Sequence, residues 1–270
     1  MKTILLYVHD DAGAEARLQA ALALARAHSG HIACLQVTPL DVYVATDIFG
    51  GAFVMPSLID KVNEHARKLR ADTEARLVGE GVSWSFEHCD GPPAPVIVSR
   101  ASLADVVVLS RGIRMPKGNE PEPLAGEVAL HVSTPVLAVP PGDKGFDACG
   151  TAVVAWNGSV EAANALKAAL PMLRQANAIK LVTIREDDEL TFPATDGCEY
   201  LARHGLKAEL HEIARHDRSV GDRLLATVAD LGADYLVMGA FGHSRARELI
   251  LGGVSRWMLI ESPVPLVLAH

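Results

Sequence analysis

The stretch DYLVMGAFGHSRARELILGGVSR, Asp234–Arg256, decides how the rest of this chain is interpreted. Its apolar run from Tyr235 to Met238 ends at a glycine, which is typical of a buried strand. The amphipathic run from Val254 to Ile260 predicts a helix. Between the two lies a polar, basic turn that is bounded by glycines. These glycines are Gly239, Gly242, Gly252 and Gly253.

The glycine-rich turn contains the chemical parts of a phosphate-binding site. Glycine lets the backbone approach an anion closely and adopt positive φ, and consecutive backbone N–H groups form an anion-binding nest. A helix that begins just after Gly253 directs its free N–H groups at the same point, and Ser255 adds a hydroxyl donor. The alternative is a glycine-rich turn without a ligand. The strand before the turn and the helix after it favour phosphate binding.

Length and composition limit the class of protein. A chain of 270 residues favours two domains of ordinary size. Hydrophobic residues make up 49% and charged residues 21%, as in a globular, core-forming chain. The net charge of −8 disfavours binding to nucleic acid or to a membrane surface.

The chain shows neither a targeting segment nor a metal-binding pattern. The opening MKTILLYVHDD has an apolar run too short for a signal peptide, and no run approaches the length of a membrane span. We therefore expect a cytoplasmic protein. The four cysteines form no CxxC pair and the histidines no HExxH motif, which predicts isolated thiols and no metal site of the protein's own.

Strand-like and helix-like segments alternate along the chain, which predicts an α/β fold with a mostly parallel sheet. The whole pattern occurs twice. Residues 151–174 match residues 3–26 without a gap, and residues 233–239 match residues 104–110. The predicted units are a first domain at 1–140, a linker at 141–149 and a second domain at 150–270.

The two halves differ where the phosphate site is expected. Gly239 aligns with Ser110, and Gly252–Gly253 align with Glu122–Pro123. The first half therefore lacks the glycines, and Glu122 would place negative charge where a phosphate should lie. A single phosphate site is expected, in the second half.

These residues resemble the universal stress protein family in its tandem two-domain form. Nucleotide-binding members of that family carry the motif G-x2-G-x9-G-(S/T) after their fourth strand. Here the motif corresponds to Gly239, Gly242 and Gly252, with Gly253 in place of the hydroxyl residue. The resemblance implies two domains, each a mostly parallel five-stranded sheet flanked by helices, Rossmann-like and similar to the adenine nucleotide alpha hydrolase fold.

The resemblance also implies a ligand, an adenine nucleotide in the second domain: ATP, ADP or AMP, with Mg²⁺ possible beside ATP. Asn157 takes the place of the acid that meets the ribose in the family, Ile184 matches a residue that contacts the adenine edge, and Met238 forms an apolar wall. The residues expected at the site are Ala155, Trp156, Asn157, Ile184, Met238, Gly239, Gly242, His243, Ser244, Arg245, Gly252, Gly253, Val254 and Ser255.

Alternatives remain open for several of these residues. Trp156 either stacks on the adenine or packs at the end of its strand. His243, Ser244 and Arg245 either reach the phosphates or are solvated loop residues. Ser255 substitutes for the missing motif hydroxyl, or backbone N–H groups suffice without it.

The resulting expectation is a stress-response protein that binds a nucleotide and hydrolyses it slowly or not at all, with no catalytic residues assigned. One alternative is a protein-interaction module that has lost nucleotide binding. The other is an ATP-dependent enzyme, which the absence of GxxxxGK(S/T) and GxGxxG motifs disfavours. The resemblance further implies that the halves pair as a pseudo-dimer through their final strands, at 135–139 and 265–269; a homodimer remains possible.

Overall fold

A computed structural model gives the fold. It describes residues 1–39, 44–46, 52–54, 56–112, 123–142, 145–185, 192–215, 217–240 and 253–270. Within these ranges the chain forms a ten-stranded sheet with helices on both faces, and a separate two-stranded sheet.

The first half contains seven strands and four helices among the described residues. In chain order they are β1 Thr3–Val8, α1 Ala14–His28, β2 His31–Thr38, β3 Val44–Thr46, β4 Ala52–Val54, α2 Pro56–Val78, β5 Ser83–Asp90, α3 Pro93–Ala101, β6 Val106–Ser110, α4 Leu124–His131 and β7 Val136–Val139. The short strands β3 and β4 pair with each other in the antiparallel sense and lie in the arm between β2 and α2.

The second half repeats the same layout with fewer residues. Its elements are β8 Thr151–Ala155, α5 Val160–Leu173, β9 Ala178–Arg185, α6 Ala194–Arg203, β10 Glu209–Ala214, α7 Val220–Asp230, β11 Tyr235–Gly239, α8 Gly253–Glu261 and β12 Leu266–Ala269. The helix after the second strand has 10 residues here and 23 in the first half. The second half thus keeps this helix in a shorter form.

The large sheet has the order β10-β9-β8-β11-β12-β7-β6-β1-β2-β5. Neighbouring strands within each half are parallel. The predicted α/β fold with a mostly parallel sheet is therefore confirmed.

The halves meet where β7 and β12 pair in the antiparallel sense, with Leu137 opposite Val267. These are the two final strands whose pairing the family resemblance implies. Every residue of both strands is buried, so the junction is part of the hydrophobic core.

A second contact joins the halves beside this strand pair. The guanidinium of Arg111, just after β6, donates to the carbonyl of Ile260 near the end of α8 and, at 2.7 Å, to the carbonyl of Gly112. A cation at the carboxyl end of a helix complements the negative end of the helix dipole. Arg111 thus joins the first half to the carboxyl end of α8.

Two buried layers cover the sheet. Alternate strand residues such as Ile4 and Leu6 pack under α1, α2, α5 and α6, whereas Leu5 and Tyr7 face α3, α4, α7 and α8. Helices on both faces explain the nearly continuous apolar runs of the central strands. None of the helices among the described residues combines the length and apolar character needed to cross a membrane.

The junction allows a direct test of its contribution to stability. Leu137→Ala removes a side chain with no exposed surface, so we expect the free energy of unfolding to fall by about 2–5 kcal/mol. Leu103→Ala, at a side chain that is 90% exposed, is the matched control and should change it by less than about 0.5 kcal/mol. Urea unfolding of both variants measures the difference. Equal effects would show that the junction is not a core element.

Candidate functional site

The strand order creates a crevice in the second half. β8 lies between β9 and β11: the chain leaves β8 toward β9 on one side and later returns to β11 on the other. Parallel pairing with Val154 opposite Val237 brings the carboxyl ends of β8 and β11 together. In open α/β sheets, ligands bind at such a switch point, outside the carboxyl ends of the strands.

The structure brings several predicted residues to this edge. Ala155 ends β8, Ile184 lies near the end of β9, and Met238 and Gly239 end β11. Ala155, Ile184 and Met238 share one face, because all three pack with the buried layer under α7 and α8. Five further predicted residues lie outside the described part of the chain. They are Gly242, His243, Ser244, Arg245 and Gly252.

Asn157 is exposed in the turn after β8, and its side-chain orientation is defined. Its Oδ1 accepts the N–H of Ser159 at 3.2 Å, which directs the amide nitrogen away from the turn. Ser159 in turn caps α5, since its Oγ accepts the N–H of Ala162 at 3.1 Å. With an aspartate at this position, the second side-chain oxygen would be a hydrogen-bond acceptor toward solvent. Asn157 has its amide N–H₂ group there, which is a donor.

Trp156 points away from the crevice. Its side chain is 4% exposed and belongs to the layer under α5 and α6, opposite the face of Ala155 and Met238. The indole nitrogen donates to the carbonyl of Phe192 at 3.1 Å, and the ring packs against Gly197. The Trp156 ring therefore packs in the core, which is the second of the two alternatives given for this residue.

Gly239 has a packing reason to be glycine. A Cβ there would lie 2.6 Å from the carbonyl carbon of Glu161 and 2.7 Å from the nitrogen of Ala162, in the first turn of α5. In the first half the glycine is instead Gly13, the residue just before α1. There, a Cβ on Gly13 of the α1 turn would clash with Ser110, the counterpart of Gly239. The motif's first glycine is thus explained without a ligand.

Gly253 differs from Gly239 in this respect. It begins α8 and is exposed, no described atom lies within 4 Å of the position of a Cβ, and its φ is not positive. Val254 beside it is 37% exposed, while Ser255 is only 6% exposed. Gly253 and Val254 therefore face outward at the helix start. Among the described residues, neither packing nor backbone conformation gives a reason for glycine at 253.

The equivalent crevice of the first half is filled by its own side chains. Arg17 of α1 is 1% exposed and reaches the ends of β1 and β6. Its guanidinium donates to the carbonyls of Tyr7 at 3.1 Å and His9 at 2.7 Å, to both carboxylate oxygens of Asp11 at 2.8 and 3.0 Å, and to Ser110. The planar fork of arginine suits such convergent acceptors.

This network controls the charge state of Asp11. Burial acts to raise the pKa of Asp11, but hydrogen bonds from His9 and Arg17, the charge of Arg17 and the amide of Gly13 together hold it well below its usual value. The hydroxyl of Tyr7, on β1, is desolvated by burial, which raises the pKa of Tyr7 to about 12. The first half thus keeps a fixed ion pair in its crevice.

The described residues of the second half include no counterpart of the Arg17 network. Ala165 takes the place of Arg17 in the match of residues 151–174 with 3–26, and Gly239 takes the place of Ser110 in the match of residues 233–239 with 104–110. Ala165 is 1% exposed and belongs to the core layer under α5. The long cationic side chain that occupies the first crevice is therefore replaced by a methyl group.

Sequence reasoning did not identify the Arg17 network. Its only signal was an arginine within the alanine- and leucine-rich run of α1, at a position that packs inward. The described residues include no group of three His, Cys, Asp or Glu side chains able to hold a metal ion. All four cysteines are free; Cys34 is buried, and Cys89, Cys149 and Cys198 are only partly buried.

Comparison with known proteins identifies the second half. The model of the universal stress protein family matches residues 150–270. These residues form a universal stress protein domain. The first half is paired with this domain in one sheet and has the same strand order, so the resemblance noted from the sequence holds for the layout of both halves.

Solved structures agree on the fold of the whole chain. A universal stress protein from Archaeoglobus fulgidus is 17% identical, with a TM-score of 0.77 over 99% of this chain and 98% of its own. A putative universal stress protein from Pseudomonas aeruginosa is 15% identical, with a TM-score of 0.61 over 100% of this chain and 93% of its own. A search of curated proteins finds no match. At such identities the likeness concerns the fold alone.

The close approach at Gly239 predicts a loss of stability on substitution. Gly239→Ala forces a Cβ against the backbone of Glu161 and Ala162, which cannot rotate away, so we expect the free energy of unfolding to fall by about 1–3 kcal/mol. Gly79→Ala, where a Cβ meets no described atom within 4 Å, is the control. Thermal unfolding compares them. An unchanged melting temperature for Gly239→Ala would contradict the packing explanation.

The lowered pKa of Asp11 predicts a pH dependence of stability. A carboxyl whose pKa is lowered on folding stabilises the protein above its unfolded pKa of about 4, and this contribution is lost as the pH falls further. Asp11→Asn should therefore reduce stability at pH 7 and flatten the loss of stability below about pH 4. Urea unfolding at pH 7 and pH 3 measures both, with Asp60→Asn on the exposed side of α2 as control. Identical pH profiles for Asp11→Asn and the parent protein would rule out this role.

Proposed function

We propose that the second half binds an adenine nucleotide (ATP, ADP or AMP) at the crevice between β8 and β11, and that the protein acts in a stress response through this binding. Gly253 is the observation that carries the proposal. A glycine that no described residue and no positive φ requires, at the exposed start of a helix, is suited to close approach of a phosphate.

The contrast between the halves supports the same assignment. A ligand in the first crevice would compete with Arg17, Asp11 and Ser110, which already satisfy one another. In the second crevice, Ala165 and Gly239 leave no such internal partner. The apolar face of Ala155, Ile184 and Met238 beside it suits an adenine ring. We therefore assign one nucleotide to each chain.

Asn157 affects how the nucleotide is held. Because its Oδ1 accepts the N–H of Ser159, the amide N–H₂ group is left to donate to a ribose oxygen. A neutral donor gives no charge with which to hold a metal ion. Mg²⁺ therefore accompanies ATP through its phosphates and water, as is usual for this ion. We assign no catalytic residue and expect binding with slow hydrolysis or none.

The antiparallel junction also bears on assembly. In the proposed pseudo-dimer, β7 and β12 cover each other's edges within one chain. A homodimer through the final strands is then unavailable, so any homodimer would use other surfaces.

Gly253→Val tests the proposal without disturbing the core. A valine meets no described atom at this position, so the melting temperature should not change, while the side chain obstructs the approach of phosphate. We expect the affinity for ATP to fall at least tenfold, or roughly 1.4 kcal/mol. Isothermal titration calorimetry of ATP measures the change, and Gly79→Val, at another open glycine remote from the crevice, is the matched control.

The parent protein provides the decisive outcome. A bound ligand stabilises the folded state, so saturating ATP must raise the melting temperature. No shift at millimolar ATP would overturn the proposal and favour the alternative function, a protein-interaction module. Equal ATP affinity in Gly253→Val and Gly79→Val would retain nucleotide binding but reject the site.

A further inference from the structure

A groove between α5 and α6 is separate from the nucleotide crevice. It has a volume of about 350 Å³ and lies on the face of the sheet opposite Ala155 and Met238. Its floor and walls are apolar and its rim carries charges of both signs. The residues that line it include Trp156, Leu166, Phe192 and Tyr200, with Lys167 and Asp196 at the rim.

In the first half, an ion pair joins the helices that correspond to α5 and α6. There, Glu15 of α1 reaches across to Arg76 of α2, with 2.8 Å between the carboxylate and the guanidinium. Ala163 stands at the position of Glu15 in the second half and lines the groove. The ion pair that bridges the two helices in the first half is therefore absent, and the groove opens in its place.

The floor of the groove is held rigidly. Trp156 is 4% exposed, and its indole nitrogen is fixed by the carbonyl of Phe192 at 3.1 Å. Gly197 of α6 packs so closely that a Cβ would lie 3.3 Å from the Trp156 ring and 2.7 Å from Leu181. The aromatic floor is thus formed before any ligand arrives, which lowers the entropic cost of binding.

The charges at the rim indicate the polarity of a ligand. Lys167 is exposed and forms no ion pair with any described residue. On the opposite wall, Arg203 already pairs with Glu199 at 2.9 Å, and Asp196 lies in the first turn of α6, where the helix dipole stabilises an acid. An anionic group would therefore bind on the α5 side, beside Lys167 and away from Asp196.

We propose that this groove binds a small carboxylate with a flat, apolar body. The body lies on Trp156 between Phe192 and Tyr200, and the carboxylate pairs with Lys167. The volume is at the lower end of the range for small-molecule sites and fits a ligand of about a dozen heavy atoms. For a ligand of this size we expect a dissociation constant of roughly 0.1–1 mM.

Calorimetry on the full chain with three probes of the same shape tests the proposal. The probes are 2-naphthoate, 2-naphthamide and 2-naphthylmethylammonium. We expect the carboxylate to bind most tightly and the ammonium most weakly. Lys167→Gln should weaken the carboxylate about threefold to fivefold, as expected for an exposed ion pair, and leave the amide unchanged. No binding at several millimolar, or tighter binding of the ammonium, would overturn the proposal.

Ala163→Glu locates the site. It restores the residue of the first half and places a carboxylate in the groove, so binding of 2-naphthoate should fall more than tenfold. Ala202→Glu, on the exposed side of α6 and outside the groove, is the control and should bind as the parent does. If both variants bind equally, or if ATP displaces 2-naphthoate from the parent, the probe does not occupy this groove and the proposal fails.

Discussion

The antiparallel pairing of β7 with β12 is the constraint on which the rest of the structure depends. Each half has five parallel strands and would otherwise end in a short, fully apolar strand with unpaired backbone groups. Pairing these two strands satisfies their backbones and merges two small sheets into one of ten strands. Each of the two buried layers then extends across the junction and contains residues of both halves. The two halves therefore share their hydrophobic core.

Within this shared sheet the two crevices have diverged through side-chain size. In the first half, Arg17 and Ser110 fill the crevice, and the glycine is Gly13, just before α1. In the second half the positions hold Ala165 and Gly239, and the helix carries Glu161. Each half has one glycine at the point where the first helix approaches the end of its fourth parallel strand. One crevice is therefore stabilised by an internal ion pair, whereas the matching positions of the other carry only small residues.

The sequence predicts the fold well because hydrophobic periodicity and glycine turns are local signals. The same locality limits predictions at the site. Gly239 matches a ligand-binding motif, yet its contact with Glu161 and Ala162 involves a helix far away in sequence. Trp156 has a stacking or a packing role that only the direction of its side chain decides. The Arg17 network joins Tyr7, Asp11 and Ser110 from separate segments, so spacing along the chain gives no sign of it.

Through the contact of Arg111 with the carboxyl end of α8, the first half holds a helix of the second half in place. Since the halves are antiparallel, the carboxyl edge of one sheet half faces opposite to that of the other. α8 has nine residues and begins with Gly253 at the second half's edge; Ile260, whose carbonyl accepts from Arg111 of the first half, is its last residue but one. A helix of nine residues is roughly 13 Å long. The first half, which lacks the motif glycines, thus holds the carboxyl end of the helix whose amino end carries Gly253, the residue proposed to meet the phosphate.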